Sequence, residues 1–172
     1  MADYYTPTVV DPVIPVSAIL PVEAMFLRQV FDEDIEKGIA YYYSDEGASD
    51  LIFLDPKEVR EALEATDHAS SRLVAKLLEA HADAIKGDEE IELDMAGDLW
   101  PDVLQDIVRR APDIQELTVT MAFTCSKMRP DGFGGLAMLI TASTIRSEST
   151  HTLFDRFYKE AAANGEISHG DS

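Results

Sequence analysis

The feature that most constrains the fold is a strict alternation of two sets of side chains that begins after Glu116. Because successive side chains of a β-strand point to opposite faces, this period of two predicts a strand with one inward face. The inward set is Leu117, Val119, Met121, Phe123 and Cys125. The set on the other face is Thr118, Thr120, Ala122 and Thr124.

Three other stretches predict further strands and their connections. Residues 39–43 and 51–54 are rich in β-forming residues and flank the turn-forming sequence SDEGAS, which predicts a loose hairpin. Residues 136–142 are apolar on both faces, as in a central strand. In residues 90–95 the apolar side chains alternate with acidic ones, which predicts a half-buried strand with an acidic face toward water.

Start and stop signals predict three helices in the middle of the chain. Asp55 caps the first, Pro56 occupies its first turn, and Glu58 stands where a capping-box carboxylate belongs. The second helix ends near Gly87. The third opens at residues 98–101. Its inward stripe is Val103, Leu104, Ile107 and Val108.

Two more helices are predicted toward the ends of the chain. Residues 23–31 carry a rough helical stripe, although their β-branched and aromatic residues also fit a strand; we predict a short helix. The last helix has a cap among residues 147–150 and ends at Asn164 and Gly165. It is expected to direct four apolar side chains inward: Leu153, Phe154, Phe157 and Tyr158.

The N-terminal segment is punctuated by prolines. Pro7, Pro12, Pro15 and Pro21 fix the backbone and remove hydrogen-bond donors, so residues 1–21 are expected to form an extended arm over the surface. Such an arm packs either on its own domain or on a neighbouring subunit, and the sequence leaves the oligomeric state open.

The order of these elements predicts the architecture. We expect an α+β fold in which a mainly antiparallel sheet of about five strands packs against helices. Residues 1–21 form the arm, residues 22–165 form a single α+β domain, and residues 166–172 form a flexible tail. The N-terminus lacks the features of a signal peptide or a membrane span, so we expect a cytoplasmic protein without membrane contact.

Charge restricts the partners of this chain. The formal net charge is −19, and it is divided unequally, with −16 in residues 1–100 and −3 in residues 101–172. Such a field opposes direct binding to nucleic acid and to anionic lipid. We therefore expect a non-catalytic interaction protein whose acidic half engages a basic partner protein.

Two acidic runs are the candidate partner-binding sites. Carboxylates two residues apart on a strand lie about 6.6 Å from each other, a charge row comparable with a phosphate backbone, which raises the hypothesis of nucleic acid mimicry. A calcium loop is excluded, because Leu93 and Leu99 stand where that loop needs glycine and glutamate. The candidate residues are Asp32, Glu33, Asp34 and Glu36, and Asp88, Glu90, Glu92 and Asp94.

The stretch from Cys125 to Gly135 is the basis of the alternative function. Two cations and a glycine-rich bend there have the composition of a site for a phosphate or carboxylate, in a small-ligand-binding protein or an enzyme. The spacing matches neither of the common nucleotide-binding loops, so a plain connection between two strands stays open as well. The candidate ligand-binding residues are Lys127, Arg129, Asp131, Gly132, Gly134 and Gly135.

The sequence contains no assembled catalytic or metal-binding motif. Cys125 is the single cysteine and falls in an inward strand position, where it is expected to be a small core residue. Ser149, His151 and Asp155 fall along one helix start, where serine caps and aspartate suits the positive end. We therefore expect no catalytic residues, no metal site and no cofactor.

Overall fold

The structure is a computed structural model that describes residues 2–94 and 99–167. Over these residues the chain is an α+β protein with five α-helices and ten strands. The helices are α1 (Pro21–Val30), α2 (Pro56–Glu64), α3 (Arg72–Lys86), α4 (Leu99–Arg110) and α5 (Thr150–Ala163). The strands are β1 (Tyr4–Tyr5), β2 (Thr8–Asp11), β3 (Ile14–Pro15), β4 (Asp32–Glu36), β5 (Ile39–Ser44), β6 (Leu51–Leu54), β7 (Ile91–Asp94), β8 (Glu116–Cys125), β9 (Gly134–Thr141) and β10 (Ile145–Ser149).

Eight of these strands form one antiparallel sheet. Its main path runs β10-β9-β8-β2-β5-β3, with β1 also paired to β8 and β4 also paired to β5. Strands β6 and β7 pair with each other in a separate two-stranded sheet. The α+β class and the antiparallel pairing were predicted correctly, whereas the number of strands was underestimated.

The N-terminal segment is the main reason for that underestimate. It does not form the expected arm: β2 lies between β5 and β8 in the main sheet, and Val10 is only 1% exposed. Pro7 and Pro12 stand just outside β2, where a missing N–H does not interrupt the ladder. The β-branched run between those prolines is therefore free to pair on both edges.

The hairpin predicted between residues 39–43 and 51–54 is also wrong. Strand β5 pairs with β4, and β6 pairs with β7. Lys37 and Gly38 both have positive φ, at 54° and 80°, as the central residues of a type I′ hairpin turn do. This two-residue turn joins the acidic run of β4 directly to β5. Strand β6 therefore does not pair with β5 and pairs with β7 instead.

The end signals predicted at Asp55, Pro56 and Gly87 are confirmed. The Asp55 carboxylate accepts hydrogen bonds from the amides of Lys57 and Glu58, at 2.7 and 3.1 Å. The capping-box role predicted for Glu58 is wrong, because its carboxylate pairs with Arg28 at 2.8 Å instead. Helix α3 ends with Gly87 as its C-cap. The inward stripe of α4 is buried, while residues 95–98, which include part of its predicted start, lie outside the described residues.

The sheet has one covered face and one open face. Helices α1, α2 and α3 contact one another, α1 and α3 contact α4, and α4 packs on β8 and β9. The covered face is apolar, with Val10, Ala40, Tyr42, Leu117, Val119 and Ile140 all at or below 1% exposure. Side chains between these positions point to the opposite face, where Val9, Ile39 and Tyr41 are exposed.

The inward orientation predicted for the last helix is wrong. Ser149 caps α5 by accepting from the Thr152 amide, and Gly165 follows its end with a φ of 73°, as predicted. However, α5 has no buried residue, and Phe154, Phe157 and Tyr158 are 56%, 48% and 55% exposed. Helix α5 is amphipathic as predicted, but no other described residue of the chain buries its apolar side chains.

A buried ion pair links α1 to α4 within the helical layer. Glu23 is fully buried, and its Oε2 atom accepts hydrogen bonds from the Arg110 guanidinium and from the Leu20 amide. Arg110 also donates to the Ser70 carbonyl at 2.7 Å. Burial raises the pKa of the Glu23 carboxyl, because desolvation outweighs the opposing hydrogen bond from Arg110.

Arg110→Ala tests how strongly the fold depends on this pair. It leaves a buried carboxylate without its cation, so we expect the free energy of unfolding to fall by about 3 kcal/mol in urea titration. The matched control is Arg28→Ala, whose pair with Glu58 is about half exposed at both side chains. That change should cost less than about 1 kcal/mol, and equal losses for the two variants would contradict the prediction.

Glu23→Gln tests the direction of the pKa shift. Because the folded-state pKa of Glu23 lies above its ordinary value of 4.5, the folded state binds that proton more tightly than the unfolded state does. The contribution of this proton to the free energy of unfolding is complete below pH 4.5. It is lost as the pH rises through the folded-state pKa of Glu23. The free energy of unfolding of wild type minus that of Glu23→Gln should therefore decrease from acid to neutral pH. An increase over that range would show a lowered pKa instead.

Candidate functional site

Strand β4 arranges three carboxylates in a row on the open face of the sheet. In an antiparallel pair, residues directly opposite each other share one face. The register pairs Asp32 with Tyr43, Asp34 with Tyr41, and Glu36 with Ile39. The acidic row therefore runs beside an aromatic and aliphatic row on β5, and both point away from the helical layer.

Glu33, the fourth candidate in this run, points to the other face. Its Oε1 atom accepts a hydrogen bond of 2.6 Å from the Tyr42 hydroxyl, and Tyr42 is buried. Burial, together with this bond to a carboxylate, raises the pKa of Tyr42 well above its ordinary value of 10. Glu33 thus anchors β4 to the covered side and is not part of the exposed row.

The exposed row borders a groove of about 380 Å³. Its walls are of four chemical kinds, namely carboxylates, one lysine ammonium group, an aromatic ring and aliphatic side chains. The lining residues are Val13, Asp34, Glu36, Lys37, Ile39 and Tyr41. A lysine or arginine side chain combines an apolar stem with a cationic head, and this groove offers contacts to both parts.

The tyrosines beside the groove form a stacked pair. The ring centroids of Tyr41 and Tyr43 are 5.2 Å apart with an interplanar angle of 21°. A cation placed over such a ring face is attracted by its quadrupole, and arginine uses this contact most often. Lys37, at the turn, reaches Glu36 at 2.9 Å, so one carboxylate of the groove already has a cationic neighbour within the chain.

The second acidic run lies on the two-stranded sheet rather than on the main sheet. Glu92 and Asp94 occupy the exposed positions of β7, opposite Phe53 and Leu51 of β6. Asp88 lies at 4.0 Å from Arg60, and Glu90 precedes the strand and is exposed. The half-buried strand predicted here is confirmed over Ile91–Asp94, but the two acidic runs do not form one continuous row.

The glycine-rich loop uses its backbone amides internally. The Gly132 amide donates to the Arg129 carbonyl at 3.0 Å, the Gly135 amide donates to the Thr150 hydroxyl at 3.2 Å, and Gly134 opens strand β9. Lys127 is exposed, and the Nε atom of Arg129 lies 3.4 Å from an Asp131 oxygen. An anionic ligand would therefore be held chiefly by the two cationic side chains.

Close packing, rather than positive φ, explains the glycines of this loop. The positive-φ glycines among the described residues are Gly38, Gly47 and Gly165, so the backbone conformation at Gly134 and Gly135 does not require glycine. A Cβ atom at Gly132 would lie 2.6 Å from the Cys125 Cβ, and one at Gly135 would lie 2.8 Å from the Met121 carbonyl oxygen. The bend is built to bring two strands and α5 into contact.

The described residues do not assemble a metal centre. Cys125 is half-buried against Gly132, and His151 lies exposed, 3.8 Å from Asp155 along the first turns of α5. Within residues 2–94 and 99–167, no group of three or more histidine, cysteine, aspartate or glutamate side chains is arranged to hold a metal ion.

The fold and the groove together define a two-layer α+β protein with an open, partly acidic sheet face. Comparison of the chain with models of protein families, with curated proteins and with solved structures gives no match. None of the helices in the described part of the chain is both long and apolar enough to cross a membrane.

Gly135→Ala tests the packing account of the loop. Its Cβ would press on a backbone carbonyl of β8 that cannot move without disturbing the ladder, so we expect a loss of about 1–3 kcal/mol in the free energy of unfolding. Gly87→Ala is the matched control, because a Cβ there meets only ordinary contacts of 3.5 Å or more. Thermal or urea unfolding measures both. An unchanged stability of Gly135→Ala would refute the account.

Proposed function

We propose that this chain is a non-catalytic interaction protein that binds a basic segment of a partner protein in the groove beside β4. The observation that carries the proposal is the joint placement of Asp34 and Glu36 with Tyr41, Val13 and Ile39 around one cleft. The carboxylates pair with a cationic head, the ring contributes a cation–π contact, and the aliphatic walls contact the stem.

The distribution of charge supports a basic partner. Residues 1–116, which include β4 and β7, carry nine basic and 27 acidic side chains, a balance of −18. Residues 117–163 carry five basic and four acidic side chains, a balance of +1. A field concentrated on one part of the molecule steers a basic protein toward it and accelerates association, an effect that falls with added salt.

Nucleic acid mimicry is the more specific form of this proposal. In that form, the partner's basic surface is one that otherwise binds phosphates, and the carboxylates two residues apart on β4 occupy phosphate positions. Residues on one face of a strand recur about every 6.6 Å, which supports the comparison. The aromatic row beside them adds stacking surfaces of the kind that nucleic-acid-binding proteins meet on bases.

The alternative of an anion-binding site in the loop from Cys125 to Gly135 has less support. The Gly132 and Gly135 amides are engaged within the chain, and Arg129 is near Asp131. Lys127 and Arg129 remain as its candidate ligand contacts. A ligand-induced rise in the unfolding temperature of wild type, lost in Arg129→Ala, would favour this alternative over the basic partner.

A charge-matched pair of triple variants tests the proposal. The groove variant carries Asp32→Asn, Asp34→Asn and Glu36→Gln, and its control carries Glu61→Gln, Glu64→Gln and Glu79→Gln on the exposed surface of α2 and α3. Calorimetric titration with a synthetic arginine-rich peptide should show about tenfold weaker binding to the groove variant, since exposed pairs contribute up to about 1 kcal/mol each. The control should bind nearly as wild type does, with the same decrease in affinity on adding salt.

Equal weakening of the two variants would show that net charge alone, rather than the groove, binds the peptide. Mimicry is tested separately by adding duplex DNA to a complex of this protein with its basic partner. Displacement of this protein by the duplex supports mimicry, and an unaffected complex opposes it without affecting the peptide result.

Lys37→Gln is expected to act in the opposite direction. Lys37 lies 2.9 Å from Glu36 and competes with an incoming cation for that carboxylate. Its removal should strengthen binding of the same peptide about two- to fivefold at low salt, a gain that shrinks as ionic strength rises. Weaker binding would show that the lysine side chain contributes contacts to the peptide rather than competing with it.

A further inference from the structure

Helix α5 presents an apolar stripe whose three aromatic side chains are left about half exposed by residues 2–94 and 99–167. Residues that recur at intervals of three and four along a helix share one face. The stripe consists of Leu153, Phe154, Phe157, Tyr158 and Ala161. Three of its aromatic side chains are about half exposed, and Phe154 and Phe157 contact each other edge to face at 6.5 Å between centroids. A helix with such a stripe normally buries it.

Two polar side chains of α5 lie next to its own sheet, whereas Leu153 and Ala161 at the edges of the stripe are half-buried. Arg156 pairs with Glu148 of β10 at 3.3 Å. Thr152 lines a groove of about 690 Å³ on the open face of the sheet. Positions 152 and 156 lie roughly opposite the apolar stripe on a helix of 3.6 residues per turn. The stripe therefore points away from the groove beside which α5 begins.

That groove is the second uncovered surface of this region. Its side chains come from three adjacent strands, β8, β9 and β10. They are small or uncharged in the centre, with one cation and one anion at the β10 edge: Thr118, Thr120, Ala137, Leu139, Arg146 and Glu148. A helix packed in such a groove would cover the sheet face and complete a second layer of helix on sheet. One chain thus carries both an uncovered helix stripe and an uncovered sheet groove.

We infer that a second copy of this chain covers both surfaces, with α5 of each copy packed in the β8–β10 groove of the other. Charge opposes a second copy less here than elsewhere, because residues 117–163 have a balance of +1 in a chain of −19. Two copies repel each other through their acidic parts, whereas this face lets them approach. The exchange is isologous, as a twofold dimer requires.

The area that the exchange buries decides between two forms of dimer. Aromatic side chains offer about 150–250 Å² each, so three that are half exposed present roughly 300 Å² per helix. Packing stripe on stripe would bury roughly 600 Å², below the size of stable interfaces. Reciprocal packing buries the same area of the groove as well, roughly 1,200 Å² in total, which reaches the range of specific interfaces.

Sedimentation equilibrium of the full chain tests the dimer. Wild type should have twice the monomer mass at micromolar concentrations, and Phe157→Asp should raise the dissociation constant about 100-fold or more. Phe53→Asp is the matched control, since Phe53 is 46% exposed on the separate two-stranded sheet, and it should dimerise as wild type does. A wild type that stays monomeric up to about 100 μM would overturn the inference.

Disulfide trapping tests the reciprocal arrangement without relying on a disruptive variant. In a Cys125→Ser background, one preparation carries Ala137→Cys in the groove and the other carries Phe157→Cys on the stripe. Mixing them under mild oxidation should give a cross-linked dimer several times faster than either preparation alone. Equally fast cross-linking of Phe157→Cys alone would show stripe-on-stripe packing and overturn the reciprocal form. These residues lie apart from the acidic groove, so this result is independent of the peptide titration.

Discussion

The structure depends on the burial of one face of strand β8 between its neighbours and the helical layer. Leu117 and Val119 are fully buried beneath α4, and the same strand pairs with β1, β2 and β9. Because the strand alternates, burying those two side chains necessarily turns Thr118 and Thr120 to the other face. The covered core and the open face are thus two consequences of one strand.

The same alternation places the charges of β4 on the two faces of the sheet. Glu33 is drawn to the covered side, where Tyr42 donates to it, while its neighbours Asp32 and Asp34 stay with the exposed row. A buried carboxylate needs a hydrogen-bonding partner, and the exposed ones do not, since water solvates them. Three carboxylates of one acidic run in the sequence therefore form a row on a single face, beside the tyrosines of β5.

The open face carries both proposals, and they use different parts of it. The β4–β5 part is acidic and aromatic and suits a cationic side chain, whereas the β8–β10 part is nearly neutral and suits an apolar helix. If both proposals hold, this division would let one sheet face bind a partner protein and a second copy at once. The charge balance of each part, rather than its shape alone, selects between the two occupants.

Local signals in the sequence determined the helix ends at Asp55 and Gly87, the alternating strands at β7 and β8, and the α+β class, because each depends on neighbouring residues. The acidic candidates Asp34 and Glu36 were identified from the sequence, but the groove that they form with Val13, Ile39 and Tyr41 was not. Only the tertiary structure placed β2 inside the sheet, joined β4 to β5 through Lys37 and Gly38, and left the stripe of α5 uncovered. Strand pairing and helix coverage depend on segments far apart in the chain, and amphipathic periodicity shows that a face is apolar without showing what covers it.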